Sequence, residues 1–192
     1  MRSLLQGDTE AAHGTSGTLC KRRPERDSVK AVRLRGRNLA DICGRIMHSI
    51  DIFINNAGFG VCGSLLETDS AKEEEMVQVN VAAMRRLFQC MLRRMQAQGG
   101  GTILNVASSA GLLPGGPYMA GYYASKAYVV SLTRGAAQEL REKRSPVYVC
   151  ALCPGPVNTE FNDRAGGVVA LKGTTPEFCV DEATHGMLHP KT

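Results

Sequence analysis

Tyr122 and Lys126 are the residues whose types and spacing most directly suggest chemistry. They stand four positions apart in Y-Y-A-S-K, residues 122–126, so on a helix the phenol and the ammonium would share one face. A free phenol has a pKa of about 10, and a neighbouring cation favours its ionised form. Ser108 ends an apolar run before the Gly/Pro-rich loop that leads to the tyrosine. A tyrosine beside a lysine and within reach of a serine hydroxyl would act as a general acid/base.

Neighbouring residues of the same type offer alternatives. Tyr123 follows Tyr122 directly, but no lysine stands four positions after it. Ser109 is adjacent to Ser108 and could take the role of the serine. The tyrosine–lysine spacing therefore favours Tyr122, whereas the two serines both stay open on this spacing alone.

The elements that must position these side chains alternate between strand and helix from Ile50 onward. Short apolar strands are predicted at I-D-I-F-I-N-N, at residues 102–108 and at residues 147–153. A long helix is predicted from Asp69 or Ser70 to about Gln96, and a second from Ala120 to Lys143. The apolar face of the first comprises Met76, Val79, Ala83, Met84, Leu87, Met91 and Met95. Continuous apolar strands separated by helices are typical of an α/β fold with a parallel sheet and helices on both faces.

The carboxyl ends of the three predicted strands carry the candidate chemistry. These ends are residues 55–58, Ser108 and residues 153–156. In open α/β sheets, ligands bind outside this edge. Three separate segments therefore converge on one candidate site.

The motifs at that edge resemble those of the short-chain dehydrogenase/reductase family. N-N-A-G at 55–58, Asn80, S-S-A-G from Ser108, Y-Y-A-S-K and P-G-P-V-N-T at 154–159 occur in the family's order. The resemblance covers about residues 50–160 and implies a Rossmann-like fold. It also implies an NAD(P)-dependent oxidoreductase that transfers a hydride between the nicotinamide and a carbonyl or alcohol substrate.

The resemblance assigns catalytic roles residue by residue. Tyr122 would be the acid/base for the substrate oxygen, and Lys126 would lower its pKa and hydrogen-bond the nicotinamide ribose. Ser108 would hold the substrate carbonyl, because it begins S-x-x-G as in the family; Ser109 stays the alternative. Asn80 would join a proton relay or hold its helix through a water, and it could also satisfy only backbone groups.

The resemblance likewise assigns a cofactor surface. NAD or NADP is the implied cofactor, and the residue that would choose between them cannot be identified. Thr159 could instead be only a helix or turn cap. Besides Tyr122 and Lys126, the implied cofactor-binding residues are Asn55, Ala57, Gly58, Pro154, Gly155, Val157 and Thr159.

The start of the family's fold has no clear counterpart in the sequence. The family's T-G-x-x-x-G-x-G turn receives the cofactor pyrophosphate, but only H-G-T-S-G-T-L-C at 13–20 resembles it, with no apolar strand before it. We therefore predict an incomplete first βαβ unit and an exposed strand edge. The expected division is a basic, poorly patterned segment at 1–49, a catalytic core at 50–160, and a partial substrate lid with a truncated C-terminus at 161–192. A short helix is predicted at residues 39–47.

A non-catalytic protein is the alternative interpretation. In it, the chain is a truncated family member that acts at most as a binding or oligomerisation module, with copies pairing through the two long helices. The expected partner of the enzyme is a small carbonyl or alcohol substrate.

Charge and composition exclude several other classes. The net charge of +5 resides in residues 1–49, which hold ten Lys/Arg and five Asp/Glu. No aromatic residue precedes Phe53, so a solvated segment is favoured over nucleic-acid binding. No apolar run approaches the ~20 residues that span a bilayer, and the expected location is cytoplasmic.

No metal site is predicted. Cys150 and Cys153 form a C-x-x-C without a second pair, and we interpret them as buried strand residues. His185 and His189 are four apart, but Gly186 and Pro190 make a helix there doubtful.

Overall fold

One five-stranded sheet organises the chain, in the order β2-β1-β3-β4-β5. The computed structural model describes residues 16–21, 30–34, 49–159, 161 and 173–188. The strands are β1 (Ser16–Lys21), β2 (Lys30–Leu34), β3 (Ile52–Asn55), β4 (Gly101–Val106) and β5 (Val147–Leu152).

Strands β3, β4 and β5 are parallel and adjacent, which confirms the predicted α/β arrangement. Ile52 pairs with Thr102 and Asn55 with Asn105, and Gly101 is aligned with Val147. Their inward side chains, such as those of Phe53, Ile103 and Val149, are buried in the main core. The three carboxyl ends therefore lie at one edge of the sheet, where the candidate residues follow.

Strands β1 and β2 form an antiparallel hairpin that the sequence pattern did not predict. β1 also pairs antiparallel with β3, from Thr18 opposite Asn55 to Lys21 opposite Ile52. The expectation of an exposed β3 edge was therefore wrong, because backbone pairing does not require alternating apolar side chains. The weak phosphate-loop candidate at 13–20 is largely strand rather than a turn opening a helix. The helix predicted at 39–47 lies outside the described residues.

The predicted long helix is continuous but changes its winding. It comprises α1 (Ser70–Val77), a π-helical segment (Gln78–Ala83) and α2 (Met84–Ala97). Asp69 caps it by accepting the Ala71 N–H at 2.9 Å. The predicted apolar face is buried at Met76, Met84, Leu87, Met91 and Met95. The prediction of one regular α-helix missed the π-helical turn around Asn80.

Helix α3 (Ala120–Glu142) matches its prediction to within one residue. It packs against β5 and against a 3₁₀ turn at Ser109–Leu112 that follows β4. Val129 and Val130 place its inner face in the main core. The helix that carries Tyr122 and Lys126 is thus fixed against the strand ends.

The C-terminal part contains a further helix, α4 (Pro176–Leu188). It packs against β4 and β5 and buries Met187. The doubt about a helix through His185 and Gly186 was therefore wrong; His189 and residues 162–172 lie outside the described part. Within the described helices, none is long and apolar enough to cross a membrane.

Candidate active site

Tyr122 and Lys126 lie on one face at the start of α3, both buried. Tyr122 is 8% exposed and Lys126 5% exposed. The Lys126 ammonium donates to the Val106 carbonyl at 3.1 Å and lies 5.8 Å from the centre of the Tyr122 ring. The carbonyl at the end of β4 therefore anchors the lysine beside the tyrosine.

Ser108 is the serine whose side chain lies near enough to the Tyr122 phenol to lower its pKa, and its hydroxyl donates to the Pro154 carbonyl at 3.5 Å. Its hydroxyl oxygen also accepts the Ala110 N–H at 3.2 Å and caps the 3₁₀ turn. The backbone N–H of Ser109 donates to the Pro154 carbonyl at 2.8 Å. Of the two serines, the structure thus joins Ser108 to the tyrosine.

The surroundings of Gly111 explain why the S-x-x-G motif ends in glycine. A Cβ at this position would lie 2.5 Å from the carbonyl oxygen of Lys126, well inside contact distance. The absence of a side chain lets the 3₁₀ turn press directly against α3. This close packing holds Ser108 at a fixed place relative to Tyr122.

The pKa of Tyr122 is raised above its ordinary value. Burial of the phenol is the main cause, the hydrogen bond from Ser108 opposes it, and Tyr123 adds a small further increase. Desolvation outweighs the opposing contribution of Ser108, and the expected lowering of this pKa by Lys126 stays a prediction. The phenol is protonated at neutral pH and suited to donate a proton.

Lys126 shows the opposite response to burial. Loss of hydration lowers its pKa to about 8, and the nearby Cys153 thiol partly opposes this. The Cys153 sulfur also interacts with the Ser108 backbone N–H. The sequence predicted Cys153 as a buried strand residue, but it is half-buried, follows the end of β5 and lies beside two of the candidate catalytic groups.

Asn80 uses its amide to join two segments. Its Oδ1 accepts the Phe59 N–H at 3.1 Å, and its Nδ2 donates to the Phe59 carbonyl at 2.8 Å and to Ser125 Oγ at 3.1 Å. Ser125 Oγ donates in turn to the Tyr122 carbonyl at 2.7 Å. These contacts fix the loop after β3 against α3; a part in proton relay stays a prediction.

The N-N-A-G segment begins in the core and ends beside the candidate site. Asn55 is 2% exposed and donates to the Met84 carbonyl at 3.0 Å and to Asn105 Oδ1 at 3.3 Å. A Cβ at Gly58 would lie 2.9 Å from Asn80 Oδ1 and 3.2 Å from Lys126 Nζ. The Asn55 side chain therefore makes its hydrogen bonds within the core, and cofactor contact by Asn55, Ala57 and Gly58 stays a prediction.

The segment after β5 lies beside Ser108. The Pro154 carbonyl accepts the Ser109 N–H, and Val157 forms a parallel bridge with Thr174. Thr159 Oγ1 accepts the Phe161 N–H at 3.3 Å, which is the capping alternative. Gly155 and Thr159 are exposed at this edge, and cofactor contact by Pro154, Gly155, Val157 and Thr159 stays a prediction.

Phe161 is a neighbour of the site that sequence reasoning missed. Its ring centre lies 5.4 Å from that of Tyr122, at an interplanar angle of 50°. The residue falls where the sequence predicted only the start of a lid, and no local pattern indicates a contact across 39 positions.

Comparison with known proteins decides the family. The family model described as short chain dehydrogenase matches residues 35–166. The chain belongs to the short-chain dehydrogenase family. Its motifs at 55–58, 108–111, 122–126 and 154–159 all fall inside the matched range.

Individual relatives agree with this assignment. A Danio rerio protein named dehydrogenase/reductase SDR family member 6 is 30% identical over 68% of this chain and 53% of its own length. An uncharacterised oxidoreductase of Thermotoga maritima is 37% identical over 58% of this chain and 43% of its own. The chain thus spans about half the length of these curated relatives.

Solved structures show the same fold. A short-chain dehydrogenase from Sphingobium yanoikuyae, in complex with NADPH, gives a TM-score of 0.70 at 32% identity over 79% of this chain and 60% of its own. A bulky-bulky ketone specific alcohol dehydrogenase from Comamonas testosteroni gives 0.66 at 30% identity over 79% and 57%. The Rossmann-like fold class is therefore confirmed.

Proposed function

We propose that this chain catalyses hydride transfer between NAD or NADP and a carbonyl or alcohol substrate. The observation that carries the proposal is the buried Tyr122 phenol, which lies beside the Ser108 side chain and the Lys126 ammonium. These groups lie at the carboxyl edge of parallel strands, where α/β folds bind ligands.

In the reduction direction, Tyr122 donates its proton to the substrate oxygen. The raised pKa keeps the phenol protonated at neutral pH, and Ser108 donates a second hydrogen bond to the same oxygen. Lys126 places a positive charge near the phenolate that forms when the proton leaves. Water then reprotonates the tyrosine, and oxidation of an alcohol follows the reverse order.

The described residues fit the nicotinamide end of the cofactor. When bound, the reduced nicotinamide supplies the hydride that adds to the carbonyl carbon. Lys126 uses one ammonium hydrogen on Val106, so others remain for a ribose hydroxyl. Gly58 and the 154–159 segment flank this lysine and Ser108 and would hold the nicotinamide.

The strands on the pyrophosphate side of the sheet are arranged differently. β1 and β2 are antiparallel, so these two strands do not form the parallel βαβ unit that presents a helix N-terminus to phosphate. Related structures contain NADPH in one case and NAD in the Burkholderia phymatum protein, and we propose that either dinucleotide binds here.

Fluorescence titration with NADH and NADPH, followed by turnover of a Tyr122→Phe variant, tests the proposal. Tyr122→Phe should lower turnover at least about 100-fold, because the proton donor is lost, while cofactor affinity stays largely unchanged. Tyr123→Phe is the matched control and should keep activity. Absence of cofactor binding at about millimolar concentration, where Kd corresponds to only ~4 kcal/mol, would contradict the enzyme proposal.

The alternative is a non-catalytic binding or oligomerisation module. The antiparallel hairpin in place of a βαβ unit favours it, and the same titration separates the two. Pairing of copies through the two long helices and a cytoplasmic location stay predictions.

A further inference from the structure

The Tyr122 phenol has an apolar side that the proposed reaction does not use. Tyr122 belongs to a cluster with Met76 and Ala110, separate from the main core. Half-buried apolar side chains from three further parts of the chain pack against it: Phe59, Val61, Met119, Tyr123 and Phe161. Ser108 and Lys126 are thus polar neighbours of the Tyr122 phenol. The five apolar side chains that pack against the cluster form what we call the apolar wall.

Phe161 is the member of this wall that comes from the far end of the site. Its ring lies 5.4 Å from the Tyr122 ring, between centres. Gly60 packs beneath the contact: a Cβ there would lie 3.1 Å from Phe161 Cζ, 3.2 Å from Met119 Cε and 3.4 Å from Tyr122 Cδ2. Phe161, Met119 and Tyr122 therefore converge on one point, and the glycine provides the space for it.

A half-buried ring at this point retains surface for a ligand. Phe161 is half-buried and its ring lies against that of Tyr122, so part of the residue stays accessible. A carbonyl oxygen held by Ser108 and Tyr122 brings its two substituents close to the phenol, since a carbonyl carbon is one bond from its oxygen. A substituent on the Phe161 side of the phenol would then meet the apolar wall.

We propose that Phe161 determines specificity in the reaction proposed above, by offering its ring to an apolar substituent of the substrate carbonyl. The inference rests on the proposed function and names its substrate class, ketones or secondary alcohols with an aryl or branched alkyl group. A hydroxylated substituent would lose hydration against the ring without gaining a hydrogen bond. The ring also shields the catalytic phenol from water.

A comparison of kcat/KM for two ketones tests the proposal. Reduction of an aryl methyl ketone and of hydroxyacetone is measured with NADH or NADPH for the wild type, Phe161→Ala and Phe161→Leu. In the wild type the aryl ketone should have the higher kcat/KM, and Phe161→Ala should lower this preference about 10-fold or more. Phe161→Leu should retain most of it, because a large apolar side chain remains.

Phe178→Ala is the matched control, because Phe178 is 57% exposed on α4 and should not alter the preference. A second readout needs no substrate: the ultraviolet titration of Tyr122, taken as the difference from Tyr122→Phe. Removal of the Phe161 ring admits water to the phenol and should lower its pKa.

The outcomes separate the two proposals. A wild type that binds cofactor but reduces neither ketone, nor any other carbonyl, overturns the proposed function and this inference with it. An active wild type whose preference is unchanged by Phe161→Ala, or whose Tyr122 titration is unchanged, overturns the role of Phe161 alone.

Discussion

At the scale of single residues, two neighbouring effects shift the pKa of Tyr122 in opposite directions. Burial raises the pKa of the phenol, and the hydrogen bond from Ser108 lowers it. In the proposed reaction the serine would have two effects, because it would hold the substrate oxygen and it lowers the pKa of the phenol that would protonate that oxygen. Both effects are lost when its hydroxyl is removed.

Ser108→Ala should lower kcat/KM for carbonyl reduction by about 100-fold or more, since one donor to the developing oxyanion is lost. The pKa of Tyr122 should rise further, so the alkaline fall of reduction moves to higher pH. Reduction requires the protonated phenol and is lost as the pH passes its pKa. Rate profiles against pH measure both effects. Ser109→Ala is the control, and equal losses in the two variants would contradict the assignment to Ser108.

Gly58 is the residue that separates two functional side chains. A Cβ there would lie 2.9 Å from Asn80 Oδ1 and 3.2 Å from Lys126 Nζ. Gly58→Ala should therefore displace both groups, destabilise the protein by about 1–3 kcal/mol and lower activity at least about 10-fold. Gly115→Ala, where a Cβ meets nothing within 4 Å, should change stability by less than about 0.5 kcal/mol. Urea unfolding and initial rates measure the difference; similar effects of the two variants would contradict it.

At the scale of elements, a buried polar chain joins β3, β4 and α3. Asn55 donates to Asn105 Oδ1, Asn105 donates to Thr133 Oγ1 at 2.9 Å, and Thr133 donates to the Val129 carbonyl at 2.7 Å. Each buried polar group needs such a partner. The chain fixes the register of the strand ends that carry the site.

Asn105→Ala should destabilise the protein by about 2–4 kcal/mol, because it leaves a cavity and removes two buried hydrogen bonds. Asn105 is 0% exposed. Asn158→Ala, at an exposed position with one hydrogen bond to Gly173, is the matched control and should cost less than about 1 kcal/mol. The free energy of unfolding in urea tests both. A cost below about 1 kcal/mol for Asn105→Ala would show that the network is not required.

The same elements show what the sequence can predict. The boundaries of α3 and the buried face of α1 and α2 follow from periodic apolar residues, because burial on one helix face imposes that period. Strand β1 lacks such a signal, and its place beside β3 depends on backbone pairing between distant segments. The π-helical turn at Asn80 and the contact of Phe161 with Tyr122 likewise depend on tertiary packing. Motif order indicated the candidate site, but it did not indicate that burial raises the pKa of Tyr122.

At the scale of the whole molecule, the candidate site is built on one side of β3. The contributions of β4, β5 and α3 all lie on that side, whereas the β1–β2 hairpin occupies the other. The described candidate residues therefore lie on the other side of β3 from the hairpin strands, and the arrangement at the pyrophosphate end is separate from the geometry of the proton donor.

Burial of Lys126 links this site to the stability of the whole chain. Its pKa falls from 10.5 to about 8 in the folded state. Below about pH 8 the lysine is charged in both states, and burying the charge costs stability on the order of 3 kcal/mol. Between the folded and unfolded pKa values, the unfolded chain binds the extra proton, so this cost is relieved as the pH rises.

Lys126→Met should therefore abolish activity and yet stabilise the chain relative to the wild type at about pH 7, with an advantage that shrinks by about 1 kcal/mol by about pH 9. Burial raises the pKa of Cys150 to about 11, so ionisation of this thiol in the unfolded chain lowers the stability of the protein above about pH 9. This effect is the same in the wild type and in Lys126→Met, and it cancels in their difference. Urea unfolding at the two pH values measures the effect. Lys72→Met, at an exposed position of α1, is the control with the same change of side chain. A difference between Lys126→Met and wild type that is equal at both pH values would contradict the burial of a charged lysine, because only a folded-state pKa below the unfolded one makes that difference depend on pH.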